Sequence, residues 1–248
     1  MIEMGWLEAA VAMAAMFLGA TVFSATGFGI GMVSTPIMLL AHGPQSAIIV
    51  PGTLGMGVAV WIIWKSWRDV PFKQVVPIAL AAVVGSPIGV YILSNADASV
   101  LSIVIAGFII LFAVGSFFKV ERELPYSTPL GILAGFIVGV LLPTTGVAGS
   151  LVMLYLMTKN WERQTVRAAM AFFLMTLTTV AVVQFALAGL YTQERLMLIS
   201  VAAIPALIGL ALGAFIIKRI NERAFQYAVI GIIIFSSLVA IAQELVNL

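Results

Sequence analysis

Thr26-Gly27-Phe28-Gly29-Ile30-Gly31 interrupts an apolar run that extends from about residue 6 to residue 41. A second interruption, Thr144-Thr145-Gly146-Val147-Ala148-Gly149, follows Pro143 inside the run 128–158. Glycine costs about 1 kcal/mol per residue in a helix interior. A lipid-facing break also strands backbone N–H and C=O groups without partners. Such breaks are tolerated at membrane depth where protein or a wet cavity surrounds them. One interrupted segment in each half of a chain is a pointer to a transporter's binding site.

The rest of the sequence agrees with a membrane location. The chain has 248 residues, of which 62% are apolar and 9% charged, against about 25% charged in soluble domains. It has no cysteine and a single histidine, His42, so thiol chemistry is excluded and no metal site or other cofactor is expected. No Lys or Arg precedes Lys65, while Glu3 and Glu8 lie near the start. A cleaved signal peptide needs a positive beginning, so the N-terminus is read as a translocated end.

Spanning helices need about 20 apolar residues. Six are expected, at about 46–64, 75–93, 99–118, 166–190, 196–217 and 224–244. The broken segments 6–41 and 128–158 are each too long for one crossing and are expected to fold back as hairpins. With that topology the connections at 65–73, 119–123, 159–167 and 218–223 share one side and carry eleven of the twelve Lys and Arg residues. Only Arg195 lies opposite. A single bent crossing for each segment is the alternative, and splits the basic residues six against six. The positive-inside rule favours hairpins, with the basic connections cytoplasmic and both termini outside.

A hairpin plus three spans is an odd number of crossings, so the halves, 1–120 and 121–248, are expected to be inverted repeats forming one all-α structural unit. Gly27 and Gln45 match Gly146 and Gln164 at an offset of 119, and Gly85 and Gly89 match Gly209 and Gly213 at 124. These last four glycines read as packing residues.

A short helix begins after each break. Its N-terminus offers unpaired N–H donors and about half a positive charge, and glycine lets a ligand approach the backbone closely. Two such tips facing each other near the bilayer midplane make an anion site without a basic side chain. The candidate site residues are Thr26, Gly27, Phe28, Gly29, Gly31, Ser34, Thr144, Thr145, Gly146, Gly149 and Ser150, with Thr35 a further hydroxyl nearby. Gln45 and Gln164 either reach the cavity or cap the next helix. Arg167 either attracts anions or snorkels to the interface. All ten acidic residues sit at connections or termini, which argues against a cation carrier.

The TGFGIG run before a helix containing Pro36, the turn PQSA at 44–47, the second run TGVAGS and the turn ERQTVRA at 162–168 resemble the TauE/SafE sulfite exporter family, also called TSUP. The resemblance covers nearly the whole chain and its two-half layout. It implies a secondary transporter, not an enzyme, that moves sulfite, sulfoacetate or other organosulfonates by alternating access. It places the site on Gly27, Gly29, Gly31, Gly146 and Gly149. The expected partners are a small anion, membrane lipid, a proton or sodium ion if transport is coupled, and a second copy if the chain is a homo-oligomer; nucleic acid is not among them. The expected location is the bacterial inner (plasma) membrane. Export needs no coupling, because an anion leaving a negative-inside cell gains about 2.3 kcal/mol per charge per 100 mV. A membrane scaffold or assembly protein whose glycines serve only helix packing is the competing reading.

Overall fold

The computed structural model describes residues 5–26, 29–115, 128–147, 149–159, 161–216 and 222–247. They form ten α-helices and no strand: α1 Trp6–Thr26, α2 Ile30–Met38, α3 Pro44–Ser66, α4 Phe72–Asn95, α5 Ala98–Gly115, α6 Thr128–Thr145, α7 Gly149–Met157, α8 Arg163–Leu187, α9 Gln193–Ile216 and α10 Glu222–Asn247. Among the described residues, α1, α3, α4, α8 and α9 are long and apolar enough to cross a membrane. In α5, α6 and α10 the described apolar runs are shorter, at Ala98–Leu111, Pro129–Thr145 and Val229–Glu244.

Helix ends follow local chemistry. Pro44 opens α3, where its missing N–H costs nothing. Asp97 accepts from the N–H groups of Ser99 (3.0 Å) and Val100 (3.2 Å) and caps α5. Thr192 accepts from Arg195 N–H at 3.3 Å and caps α9. Gly189, with φ +67°, ends α8, and Leu190 N–H turns back to Phe185 O at 2.9 Å.

Both broken segments double back. Ser34 Oγ donates to Ala15 O at 2.9 Å, and His42 Nε2 lies 3.0 Å from Glu8 O, so α2 and the turn after it run antiparallel along α1. In the second half, Gly131 near the start of α6 lies against the Tyr155 ring near the end of α7; a β-carbon there would stand 2.6 Å from the phenol oxygen. A single bent crossing would separate these pairs by the length of the segment. The hairpins are the observed arrangement.

The hairpins lodge against helices of the opposite half. α1 packs on α9, α6 packs on α4, and α3 crosses α8. Glycine sets the first two contacts. A β-carbon on Gly85 would press on Phe136 O, and one on Gly89 on Val140 O. Likewise Gly209 faces Phe17 O and Gly213 faces Thr21 O. Phe17 and Phe136 are 119 residues apart, as are Thr21 and Val140, the spacing that also relates Gly27 to Gly146. Without a hydrophobic drive between helices in lipid, such backbone approach supplies the van der Waals contact that holds them. The α1–α9 seam is rich in small residues, with Ala12, Ala15, Ala20, Ala202 and Ala206 buried beside Met16 and Leu198. Large apolar side chains such as Val84, Ile204 and Phe235 point outward, as a lipid-facing surface requires.

Polar clasps fix the ends of the bundle. Arg195 Nη2 donates to Gln45 Oε1 at 2.6 Å, its Nε to Ser46 Oγ at 3.2 Å and its Nη1 to Leu190 O. This ties the starts of α3 and α9 to the end of α8. At the other end of α8, Arg167 Nη2 donates to Ser24 O at 3.3 Å. Arg167, near the start of α8, thus holds the closed tip of the first hairpin, while the turn after its open end is tied to the end of α8 through Arg195.

A backbone junction between two helix breaks

The first break carries a left-handed residue. Gly29 has φ +91° and ψ +13°, a conformation that side chains resist. Val33 N–H closes onto Gly29 O at 3.3 Å, so the amides of Ile30, Gly31 and Met32 form the first turn of α2, whose N–H groups have no acceptor within the helix. The second break repeats this. Gly146 has φ +76°. Its N–H closes α6 onto Leu142 O at 2.8 Å, and Val147 N–H points to Thr145 Oγ1 at 3.4 Å. α7 begins at Gly149.

The two breaks touch. Gly146 O occupies the place a β-carbon on Gly31 would take. Beside this junction lies a cavity of about 70 Å³, lined by Phe23, Gly29, Ile30, Gly31, Met32, Leu142, Pro143, Gly146, Val147 and Gly149, and closed by α3 (Ile48, Pro51, Gly52, Gly55) and α8 (Leu174, Thr178, Ala181, Val182, Phe185). One water needs about 10–15 Å³ on this measure, so a small oxyanion fits. Among the described residues no charged side chain lines the wall. Its polarity comes from backbone and from Thr178, whose hydroxyl is spent on Leu174 O at 2.6 Å. α2 and α7 begin at the breaks, and a helix N-terminus is equivalent to about half a positive charge.

The candidate residues divide. Gly29, Gly31, Gly146 and Gly149 line the cavity. Gly27 and Phe28 fall outside the described residues, as do the side chains of Thr26 and Ser150. Ser34 pins the hairpin through Ala15. Thr144 donates to Val140 O at 2.7 Å and lies 3.1 Å from Gly89 O, and Thr145 donates to Leu141 O at 2.8 Å. Gln45 donates to Leu93 O at 3.1 Å besides holding Arg195. Gln164 is exposed and reaches Asp69 at 3.3 Å. Arg167, also exposed, holds the carbonyl end of α1, where a cation is favoured. None of Ser34, Gln45, Thr144, Thr145, Gln164 and Arg167 is on the cavity wall.

Sequence reasoning passed over the α3 and α8 walls. The cluster Pro51-Gly52 with Gly55 was the available signal: Gly55 lets Ile30 approach, with only 3.1 Å from a β-carbon position to Ile30 Cγ2. Among the described residues no group of three His, Cys, Asp or Glu is placed to hold a metal ion.

A family model described as sulfite exporter TauE/SafE matches residues 11–240, spanning both hairpins and every long helix. The chain belongs to the TauE/SafE family. It is an integral membrane protein of a transporter family, with a small anion as its class of substrate and lipid as its surroundings. Comparison with curated proteins and with solved structures found no match.

Proposed function

We propose that this TauE/SafE protein exports sulfite or a small organosulfonate, held at the contact between the two breaks by backbone N–H groups. The observation that carries the reading is the cavity at that contact, walled by Gly29, Gly31, Gly146 and Gly149 and, among the described residues, free of charged side chains. Burying an anion costs several kcal/mol. Two helix termini return up to about 2 kcal/mol each, and charge-assisted hydrogen bonds about 1.5–3 kcal/mol each. Binding is then adequate for capture and weak enough for release. A cavity of about 70 Å³ suits sulfite directly; a longer sulfonate needs the breaks to part.

The proposed frame is a pair of inverted repeats, residues 1–120 and 121–248, that rock about the junction to alternate access. The matched glycine contacts of Gly85 and Gly209, at partners 119 residues apart, support the duplication. The basic connections are placed in the cytoplasm and both termini outside, in a bacterial inner membrane. The protein acts as a carrier, not an enzyme, and outward movement of the anion uses the membrane potential without a coupling ion. The packing-only reading accounts for Gly85, Gly89, Gly209 and Gly213. It does not account for Gly29, where a β-carbon would meet nothing nearer than Met32 Cβ at 3.9 Å yet the backbone is left-handed.

The test is thermal unfolding of the purified protein with sulfite, isethionate, sulfoacetate, taurine or chloride. Sulfite or a sulfonate should raise the midpoint in proportion to the logarithm of its concentration, and chloride should not. No shift with any sulfur oxyanion would overturn the assignment.

A further inference from the structure

We infer that the hydroxyl of Thr35, on α2, is a direct hydrogen-bond donor to the anion at the junction; this rests on the reading of the junction as the transport site. Thr35 is completely buried, and its Oγ1 has no hydrogen-bond partner among the described residues. That is anomalous here. A helical threonine ordinarily spends its hydroxyl on the carbonyl one turn earlier. Thr21, Thr53 and Thr176 do so, onto Phe17, Ile49 and Phe172. Thr35 alone of these leaves the carbonyl of its preceding turn, that of Gly31, unused by its side chain. A buried hydroxyl without a partner is disfavoured unless some other state of the molecule satisfies it.

Its position says which state. Thr35 Oγ1 stands 2.7 Å from where a β-carbon on Gly146 would be, so it presses on the left-handed residue of the second break. Gly31, one turn earlier on α2, touches Gly146 O. Gly146 lines the cavity and Thr35, directly beside it, does not. A modest displacement of that turn, at the residue where glycine leaves the backbone free to move, brings Oγ1 onto the cavity wall beside the first amides of α2. The neighbouring Ser34 is committed to Ala15, and Thr144 and Thr145 to their own helix. Of these hydroxyls Thr35 is the donor left over; the other unpartnered buried hydroxyl among the described residues, Ser237, is on α10 and not on the cavity wall. The ligand it suits is an oxyanion with several acceptor oxygens, such as sulfite or a sulfonate head, in preference to a halide.

The experiment uses the full chain, with sulfite as the probe and isethionate as the second anion. Thr35→Val keeps the shape and deletes the donor. Ligand-free Thr35→Val should unfold at or above the wild-type temperature, because it removes an unpaired buried hydroxyl, while sulfite affinity falls about tenfold or more. Thr35→Ser should bind within about threefold of wild type. Ser34→Ala should lower the ligand-free midpoint and leave sulfite affinity unchanged. Should Thr35→Val not accumulate, Thr35→Ala is read by the same two measurements. Wild-type sulfite affinity in Thr35→Val overturns this inference and leaves the transport site standing. A ligand-free Thr35→Val that is markedly less stable than wild type assigns Thr35 to structure and overturns it too. A wild-type protein that responds to neither anion removes both readings together.

Discussion

The carbonyl oxygen of Gly146 fills the space that a side chain on Gly31 would need. Residues more than a hundred positions apart thus meet backbone to backbone at the two helix breaks. The contact explains why glycine stands at 31, while the left-handed backbone and the nearby Thr35 hydroxyl explain it at 146, and the junction is sensitive to a single methyl group.

Gly31→Ala should therefore push the breaks apart. Overpacking of this kind costs about 1–3 kcal/mol. Gly57, in α3, has open space around its β-carbon position, and Gly57→Ala should be neutral or stabilising by up to about 1 kcal/mol. Unfolding in detergent, with and without sulfite, measures both. Gly31→Ala should lose the sulfite response and Gly57→Ala should keep it.

The matched glycine seams should respond alike. Gly89→Ala meets Val140 O and Gly213→Ala meets Thr21 O. Each should destabilise by about 1–3 kcal/mol. The sites do not share a partner, so the double variant should lose the sum. A silent Gly213→Ala beside a damaging Gly89→Ala would deny that the two seams are equivalent.

Arg195 holds Gln45, Ser46 and Leu190 at one end of the bundle. Arg195→Gln leaves these acceptors short of donors and should cost about 1–3 kcal/mol. Sulfite affinity, measured on the folded fraction, should not change, because Arg195 is not on the cavity wall.

Tyr191, in the connection between α8 and α9, lies 2.7 Å from Thr53 Oγ1. Burial pushes its phenol above the ordinary value near 10, with Thr53 opposing. A raised phenol contributes stability below the unfolded value, about pH 10, and loses it as pH climbs to the folded one. Tyr191→Phe should flatten that alkaline loss in a pH series of unfolding midpoints.

Absence of cysteine from the chain makes single-cysteine labelling free of background. Gly43→Cys, at the open end of the first hairpin, should react with an impermeant maleimide from outside intact cells. Lys159→Cys, after the second hairpin, should react only once the membrane is opened. Reaction of both from the same side would exclude the proposed orientation.

Much of the fold was legible in the residues. Composition fixed the solvent as lipid. The length of 6–41 and 128–158 against a hydrocarbon core of about 30 Å demanded breaks, and the run of Lys and Arg chose hairpins over bent spans. Glycine density also marked where the cavity would lie, because few other residues tolerate the backbone of Gly29 and Gly146. The side chains around it were less legible. Ser34 and Thr35 are adjacent hydroxyls of similar chemistry, and nothing in their order says that one binds Ala15 while the other has no partner among the described residues. Gln45 and Gln164 share an offset but not a role, since one meets Arg195 and the other Asp69.

The sequence by itself determined the helices, their class of solvent and the two points where the backbone must leave the helix, because propensity, span length and charge placement act over a few turns. Only the tertiary structure decided that the two points touch, which walls close the cavity, and which hydroxyls are left unspent. Those depend on how α3 and α8 cross and how α1 and α6 lodge against α9 and α4, contacts between residues too distant in the chain for any local pattern to encode.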